Sequence, residues 1–441
     1  MPTAPDRIIK GRLLTFSDRP IETNAADSYS YIPDGALVIS DGKIAWLGDY
    51  ADLPSVYANW PLEDHSTHLI LPGFIDAHTH YPQMEVIASY GRQLMDWLET
   101  YTFREEARFA DKQHCDVQAK LFFDELINHG VTTAAVYTTS HPDATTAFFE
   151  EAQSRNLRMI GGKVLMDRSA PLAITDTPQR AYDESQKLIE AWHGKGRLAY
   201  AITPRFAITS SPEQMAAIQA LVDANPDCYV QTHLAENLFE ISETLRLFPN
   251  ATDYTAVYER FGLLGSKSLF GHCIHLSDRE RDALAASESV AVFCPSSNLF
   301  LGSGLFDYEG LTASGIRTAL GSDIGAGTSC SMLSTAADAY KVCQLRDHSL
   351  TPFETFYGLT LGNARALSLD DKIGRLVVGA DADLIVLNSH ATHAMRTRMA
   401  AVESLAEELF ILQTLGDDRA IEETYIAGDG QKSSLKLAGR I

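Results

Sequence analysis

Eight short apolar runs, each followed by a stretch long enough for a helix, limit what this chain can fold into more than any other feature. They fall at residues 67–80, 131–137, 157–167, 197–206, 228–236, 268–274, 289–297 and 316–323. Each is rich in Val, Ile, Leu and aromatic residues, as a strand buried on both faces has to be. The intervening stretches carry helix signals. KQHCDVQAKLFFDELINHG ends on a C-cap glycine, Gly130, and SPEQMAAIQALVDANP opens with the start signal Ser211-Pro212. Strand and helix alternating eight times is the pattern of a closed parallel barrel with its helices outside. The class expected is therefore α/β, with a (β/α)₈ TIM-type barrel over residues 67–367.

The two ends read differently. Residues 1–66 hold short alternating strands, with Asp41-Gly42 as a hairpin turn inside GALVISDGKIAWLGD. Residues 368–441 contain similar pieces, GRLVVGADADLIVLN and ETYIAGDGQK, around a more helical stretch at 389–420. Both ends are expected to pair into one small β-sandwich domain that the barrel interrupts, with the helical stretch as an excursion of it.

A chain of 441 residues has room for such a barrel and a second module. Its 36 Lys+Arg against 58 Asp+Glu give a net charge of −22, which argues against nucleic acid or an anionic membrane as partner. No run approaches the length of a membrane span, and MPTAPDRIIKGRLLTF lacks the apolar core of a signal peptide. The six cysteines form no C-x-x-C pair, so reduced, buried thiols and a cytoplasmic location are expected.

Candidate chemistry gathers at the strand ends. Alternation along a strand puts Asp76, His78 and His80 on one side, directly after PGFID. That is the C-terminal face, where barrels carry their active sites. The fifth strand ends in QTHLAE, giving His233 and Glu236; the sixth in GHCIH, giving His272 and His275; the eighth in GSDIG, giving Asp323. His78, His80, His233 and Asp323 together would offer a divalent metal nitrogen and oxygen donors, leaving a position for water. Taken singly, His233 reads equally as a satisfied core histidine, Asp323 as a helix N-cap and Glu236 as a solvated first-turn acid. Four separate strand ends converging on one chemistry favour the metal.

These motifs resemble the amidohydrolase superfamily over nearly the whole chain. Within it, HTHYPQMEVIASYGRQLMDWLETYTFREEARFAD (78–111), TPRFAITSS (203–211) and GSDIGAGTSCSML (321–333) are similar to the guanine deaminase family. The resemblance implies one zinc per chain, with iron as an alternative, and guanine as the small-molecule substrate of a homodimeric enzyme. It implies Glu236, His272 and Asp323 as catalytic residues. Glu236 would shuttle protons, Asp323 would take the water's proton and His272 would hold the attacking oxygen in line. It implies Gln83, Arg205, Phe206 and His272 around the purine. Binuclear relatives bridge two ions with a lysine on the fourth strand; RLAYAITPRF has none, and Lys163 on the third strand is left a structural or substrate-facing role. Tyr81 and Trp97 read equally as pocket wall or core.

Other classes remain in view. Another mononuclear deaminase or chlorohydrolase of the superfamily, acting on an adenosine derivative, cytosine or a triazine, shares the metal residues. A non-catalytic scaffold is disfavoured because every candidate ligand is retained. The cytidine-deaminase signature, H-x-E with P-C-x-x-C, is absent: Cys294-Pro295 has the reverse order.

Overall fold

A computed structural model describes residues 6–21, 27–91 and 93–441. Residues 1–5, 22–26 and 92, which the expectations for the first 66 residues and for the 78–111 run include, lie outside the described residues. Three N-terminal strands, β1 (Arg7–Phe16), β2 (Tyr29–Ser40) and β3 (Lys43–Asp49), are followed by β4 (Leu62–Pro72). The barrel staves follow: β5 (Phe74–His80), β6 (Val131–Tyr137), β7 (Arg158–Gly162) with its short extension β8 (Val164–Leu165), β9 (Ala199–Pro204), β10 (Tyr229–Leu234), β11 (Ser268–His272), β12 (Val290–Phe293) and β13 (Arg317–Leu320). The chain returns through β14 (Leu384–Leu387), β15 (Ile421–Ile426) and β16 (Asp429–Gly430).

Both ends meet in a seven-stranded mixed sheet of order β16-β15-β14-β4-β1-β2-β3. The β2–β3 turn is Asp41-Gly42, with φ of 51° and 73°. Two successive left-handed residues match the twist of a hairpin, which is why Asp-Gly is favoured there. The helical excursion supplies Leu405–Leu415, pinned to β1 by Arg12, whose Nη1 donates to Glu408 at 2.9 Å.

The staves run parallel in chain order from β5 to β13. Between the first and the last, the His78 carbonyl accepts from Asp323 N–H at 2.8 Å and His80 N–H donates to the Ile324 carbonyl at 3.0 Å. Those two bonds close the ring at its C-terminal face and bring the first and last candidate ligands together. Ile75, Ala135, Ile160, Leu269 and Val290 from five staves pack into one cluster, a filled barrel rather than a pore. The helix signals hold locally. Lys112–Asn128 stops just before Gly130, at φ 78°, and the Ser211 side chain caps Pro212–Ala224 by accepting from Gln214 N–H at 3.0 Å.

One element differs from its sequence pattern. Residues 67–80 read as a single strand, but the chain breaks at Gly73. There N–H turns to the Asp383 carbonyl at 2.8 Å, and a Cβ would fall 2.2 Å from Thr132 Oγ1. Residues before the break belong to the mixed sheet and those after it to the barrel. Leu69–Pro72 and Phe74–His80 are buried alike, so hydrophobicity gives no sign of the change of sheet. Among the described residues no helix is long and apolar enough to cross a membrane.

Candidate active site

His78 and His80 stand at the end of β5, His233 in β10 and Asp323 just past β13. One ligand atom from each lies within 4.8 Å of all the others. Asp323 Oδ1 is 3.3 Å from both His78 Nε2 and His80 Nε2. The Nδ1 of His233 is 2.6 Å from the Arg205 carbonyl. That oxygen can only accept, so the ring carries its proton on Nδ1 and turns the Nε2 lone pair inward, 3.3 Å from His80 Nε2. Close packing sets the His78 ring: a Cβ on Gly271 would sit 2.6 Å from His78 Cε1, and one on Gly321 2.8 Å from His78 Cβ.

The electrostatics fit a divalent cation. Burial drives the His80 imidazole down to about 3. Burial, helped by the neighbouring imidazoles, puts His233 well below its ordinary value. Burial would raise the Asp323 carboxyl, but the His78 and His80 rings 3.3 Å away hold it well below the usual carboxylate range. His78 Nε2 is buried and has no hydrogen-bond partner. Deprotonated donors with lone pairs turned to one point are the form in which a metal is bound. Asp76, on the same strand, serves otherwise: Oδ1 accepts from His78 N–H at 3.1 Å and from Ser322 N–H at 3.0 Å, tying β5 to the segment after β13. His272, Cys294 and Asp323 form a second grouping that shares Asp323. Burial pushes the Cys294 thiol well up, and a protonated thiol is a poor ligand.

Glu236, His272, Asp323, Gln83, Arg205 and Phe206 all line one pocket. His272 Nε2 is 3.4 Å from Glu236 Oε2 and 3.8 Å from Asp323 Oδ2. Burial and the Asp323 charge raise the Glu236 carboxyl to about 8, against a Ser303 hydroxyl that donates to it at 2.7 Å. His272 and Asp323 hold φ of 73° and 52°, a left-handed conformation that costs a non-glycine residue about 1–3 kcal/mol and gathers at working sites.

Several contacts were not foreseen. Asn298 Oδ1 lies 2.9 Å from His272 Nδ1. His275, a sixth-strand candidate, stands outside the ligand group with Nε2 2.8 Å from the Ser303 carbonyl, steadying the residue that holds Glu236. The buried Glu106 carboxylate meets both Arg205 and Gln83. Tyr81 is core, its ring against Phe109 and Phe148, whereas Trp97 is pocket wall. Lys163 is wholly buried, paired with Asp176 and, at 3.3 Å, with Glu184.

A model of the amidohydrolase family matches residues 69–430. Guanine deaminase of Escherichia coli (strain K12) is 44% identical over 415 residues, 93% of this chain and 93% of its own. The solved structure of E. coli guanine deaminase matches at a TM-score of 0.94 and 42% identity, over 96% of this chain and 99% of that one. The crystal structure of guanine deaminase from C. acetobutylicum, with bound guanine in the active site, matches at a TM-score of 0.88 and 30% identity, again over 96% and 99%.

Proposed function

The chain belongs to the amidohydrolase family, and from that premise we propose that it hydrolyses guanine at C2, giving xanthine and ammonia. One observation carries the reading: the Gln83 and Arg205 donors share a single pocket with the His/Asp group, in a chain similar to guanine deaminases along nearly all its length.

His78, His80, His233 and Asp323 would hold one divalent ion. Three imidazoles and a carboxylate favour zinc and tolerate iron. Bound there, it would supply Lewis acidity that brings the pKa of water toward neutrality. The remaining work belongs to side chains. Asp323 accepts the proton that water gives up on adding to C2. Glu236 gives its proton to the purine ring nitrogen. It then takes up the proton that the new C2 hydroxyl loses and passes it to the departing amine as the C2–N bond breaks. The proton left on Asp323 then resets it. Its burial and raised carboxyl suit a group that must hold a proton near neutral pH. His272, with Nδ1 tied to Asn298, turns Nε2 toward the attacking oxygen. Water adds, ammonia leaves, and the ring is restored as the 2,6-dioxo product.

Gln83 and Arg205 bind the O6 edge, with Phe206 beside them. A 6-amino ring would set a donor against donors and leave buried groups unpaired, a loss large enough for steep discrimination. The test is to incubate metal-replete protein with guanine and to measure xanthine and ammonia. No product, or equal turnover of an adenosine derivative or a triazine, would overturn the proposal.

A further inference from the structure

Glu106 is 0% exposed, lies on the helix Phe103–Ala107, and has no part in the chemistry above. Both its oxygens accept from Arg205 Nη1, at 2.7 and 2.8 Å. Oε1 also accepts from Gln83 Nε2 at 3.2 Å. The same helix brings Phe103 under the guanidinium, with Arg205 Cζ 5.4 Å from its ring centroid. Just before this helix, Leu94, Trp97 and Leu98 line the pocket. The covering segment thus holds the two substrate-facing donors by one carboxylate.

The inventory of donors and acceptors shows what this does. A glutamine amide can present either its oxygen or its nitrogen, so Gln83 alone specifies neither a carbonyl nor an amino group. Here Gln83 Oε1 is taken by Gly325 N–H at 3.0 Å, and one Nε2 hydrogen is taken by Glu106. With the oxygen directed at Gly325, the group the amide turns to the pocket is its second N–H. Arg205 spends Nη1 on Glu106 and keeps Nε and Nη2 free of hydrogen bonds among the described residues, donors all. The Glu106 charge also balances that of Arg205, so the edge is a neutral array of donors rather than a cationic site.

We infer that Glu106 is the positioning residue for specificity. It fixes Gln83 as a donor and cancels the Arg205 charge, so that the pocket selects an uncharged ring with acceptors at its 6-oxo edge. This rests on the proposed guanine reading, but it places the rejection of 6-amino rings in a residue that need not touch the substrate.

The experiment compares wild type, E106Q and E106D, with metal content and thermal unfolding measured on each. In E106Q the neutral amide can turn to donate or accept, Gln83 is released to present its oxygen, and Arg205 loses its counter-charge. KM for guanine is expected to rise at least about tenfold with a smaller change in kcat, since truncating one side of a buried charge pair costs tenfold or more. The ratio of the 2,6-diaminopurine inhibition constant to the guanine KM is expected to fall by about tenfold as well. Metal content stays at the wild-type value. E106D keeps the charge and recovers most of the selectivity, and it carries the test alone if E106Q does not fold: KM then rises a few-fold at unchanged metal content. Loss of kcat with KM and selectivity held within about twofold would make Glu106 merely structural and overturn the inference. Wild type inactive on guanine would instead sink the functional reading beneath it.

Discussion

Asn298 Oδ1 stands 2.9 Å from His272 Nδ1, on the side of the ring away from Glu236. Because a protonated Nδ1 satisfies that oxygen, the opposite nitrogen is left as a lone pair 3.4 Å from Glu236. Asn298→Ala frees the ring to take the other tautomer. Support of this kind beside a metal site is worth about 10- to 100-fold in activity. The loss is expected in kcat, with KM for guanine and bound metal little changed. Steady-state kinetics with metal analysis would check it; a pure KM effect would refute the assignment.

Ser303 acts on Glu236, the proposed proton carrier. Burial and Asp323 raise the Glu236 carboxyl to about 8, and the Ser303 hydroxyl pulls it down. Ser303→Ala removes a hydrogen bond that favours the carboxylate, so the carboxyl rises further. Glu236 must hold a proton to deliver it to the ring nitrogen, so activity depending on that form falls as pH rises through its pKa. The alkaline limb of the kcat/KM profile should therefore move to higher pH in the variant. A limb that stays in place or moves down would separate Glu236 from that ionisation.

Gly271 gives the proposed metal site a purely steric handle. A methyl there would approach His78 Cε1 to 2.6 Å, and the ring must move to admit it. Overpacking costs about 1–3 kcal/mol, roughly 5- to 150-fold if it falls on metal affinity. Gly271→Ala should bind metal weakly and regain activity when the ion is supplied in excess. Full occupancy at wild-type affinity would show that the ring has room.

The candidate metal group was open to sequence reasoning because each member closes a strand, and a strand end in a parallel barrel is a fixed place in space. His78, His80, His233 and Asp323 needed only the count of eight strands to be brought together. Glu106, Asn298 and Ser303 were not legible for a converse reason. Glu106 sits in FREEA, where a buried acid has the same letters as a solvated one, and its partner Arg205 is 99 residues away. Asn298 and Ser303 follow the seventh strand in NLFLGS, where nothing in the letters sets either polar residue apart. The break at Gly73 escaped because burial on both sides erased the amphipathic signal. Long-range pairing, not local pattern, carries each of these features.

Lys163 tests the line between structure and function. It is enclosed with Asp176, whose side chain is 1% exposed, and pairs also with Glu184. Burial pushes the Asp176 carboxyl up, and the Lys163 cation works against that rise. Lys163→Met deletes the opposing cation. Breaking a buried pair from one side costs about 3–5 kcal/mol, so the variant should unfold at markedly lower denaturant while the folded fraction keeps the wild-type kcat and KM. The sign with pH follows from the carboxyl. A folded-state pKa raised above the unfolded one gives a contribution that is present below the unfolded value and lost as pH rises through the folded value. The deficit against wild type should thus be smallest near pH 4, about the unfolded pKa of an aspartate, and grow toward neutrality. Adding Asp176→Asn to the variant should return part of the stability, because it removes the stranded charge. A deficit independent of pH would point to lost packing of the lysine stem, and a raised KM would return Lys163 to the substrate.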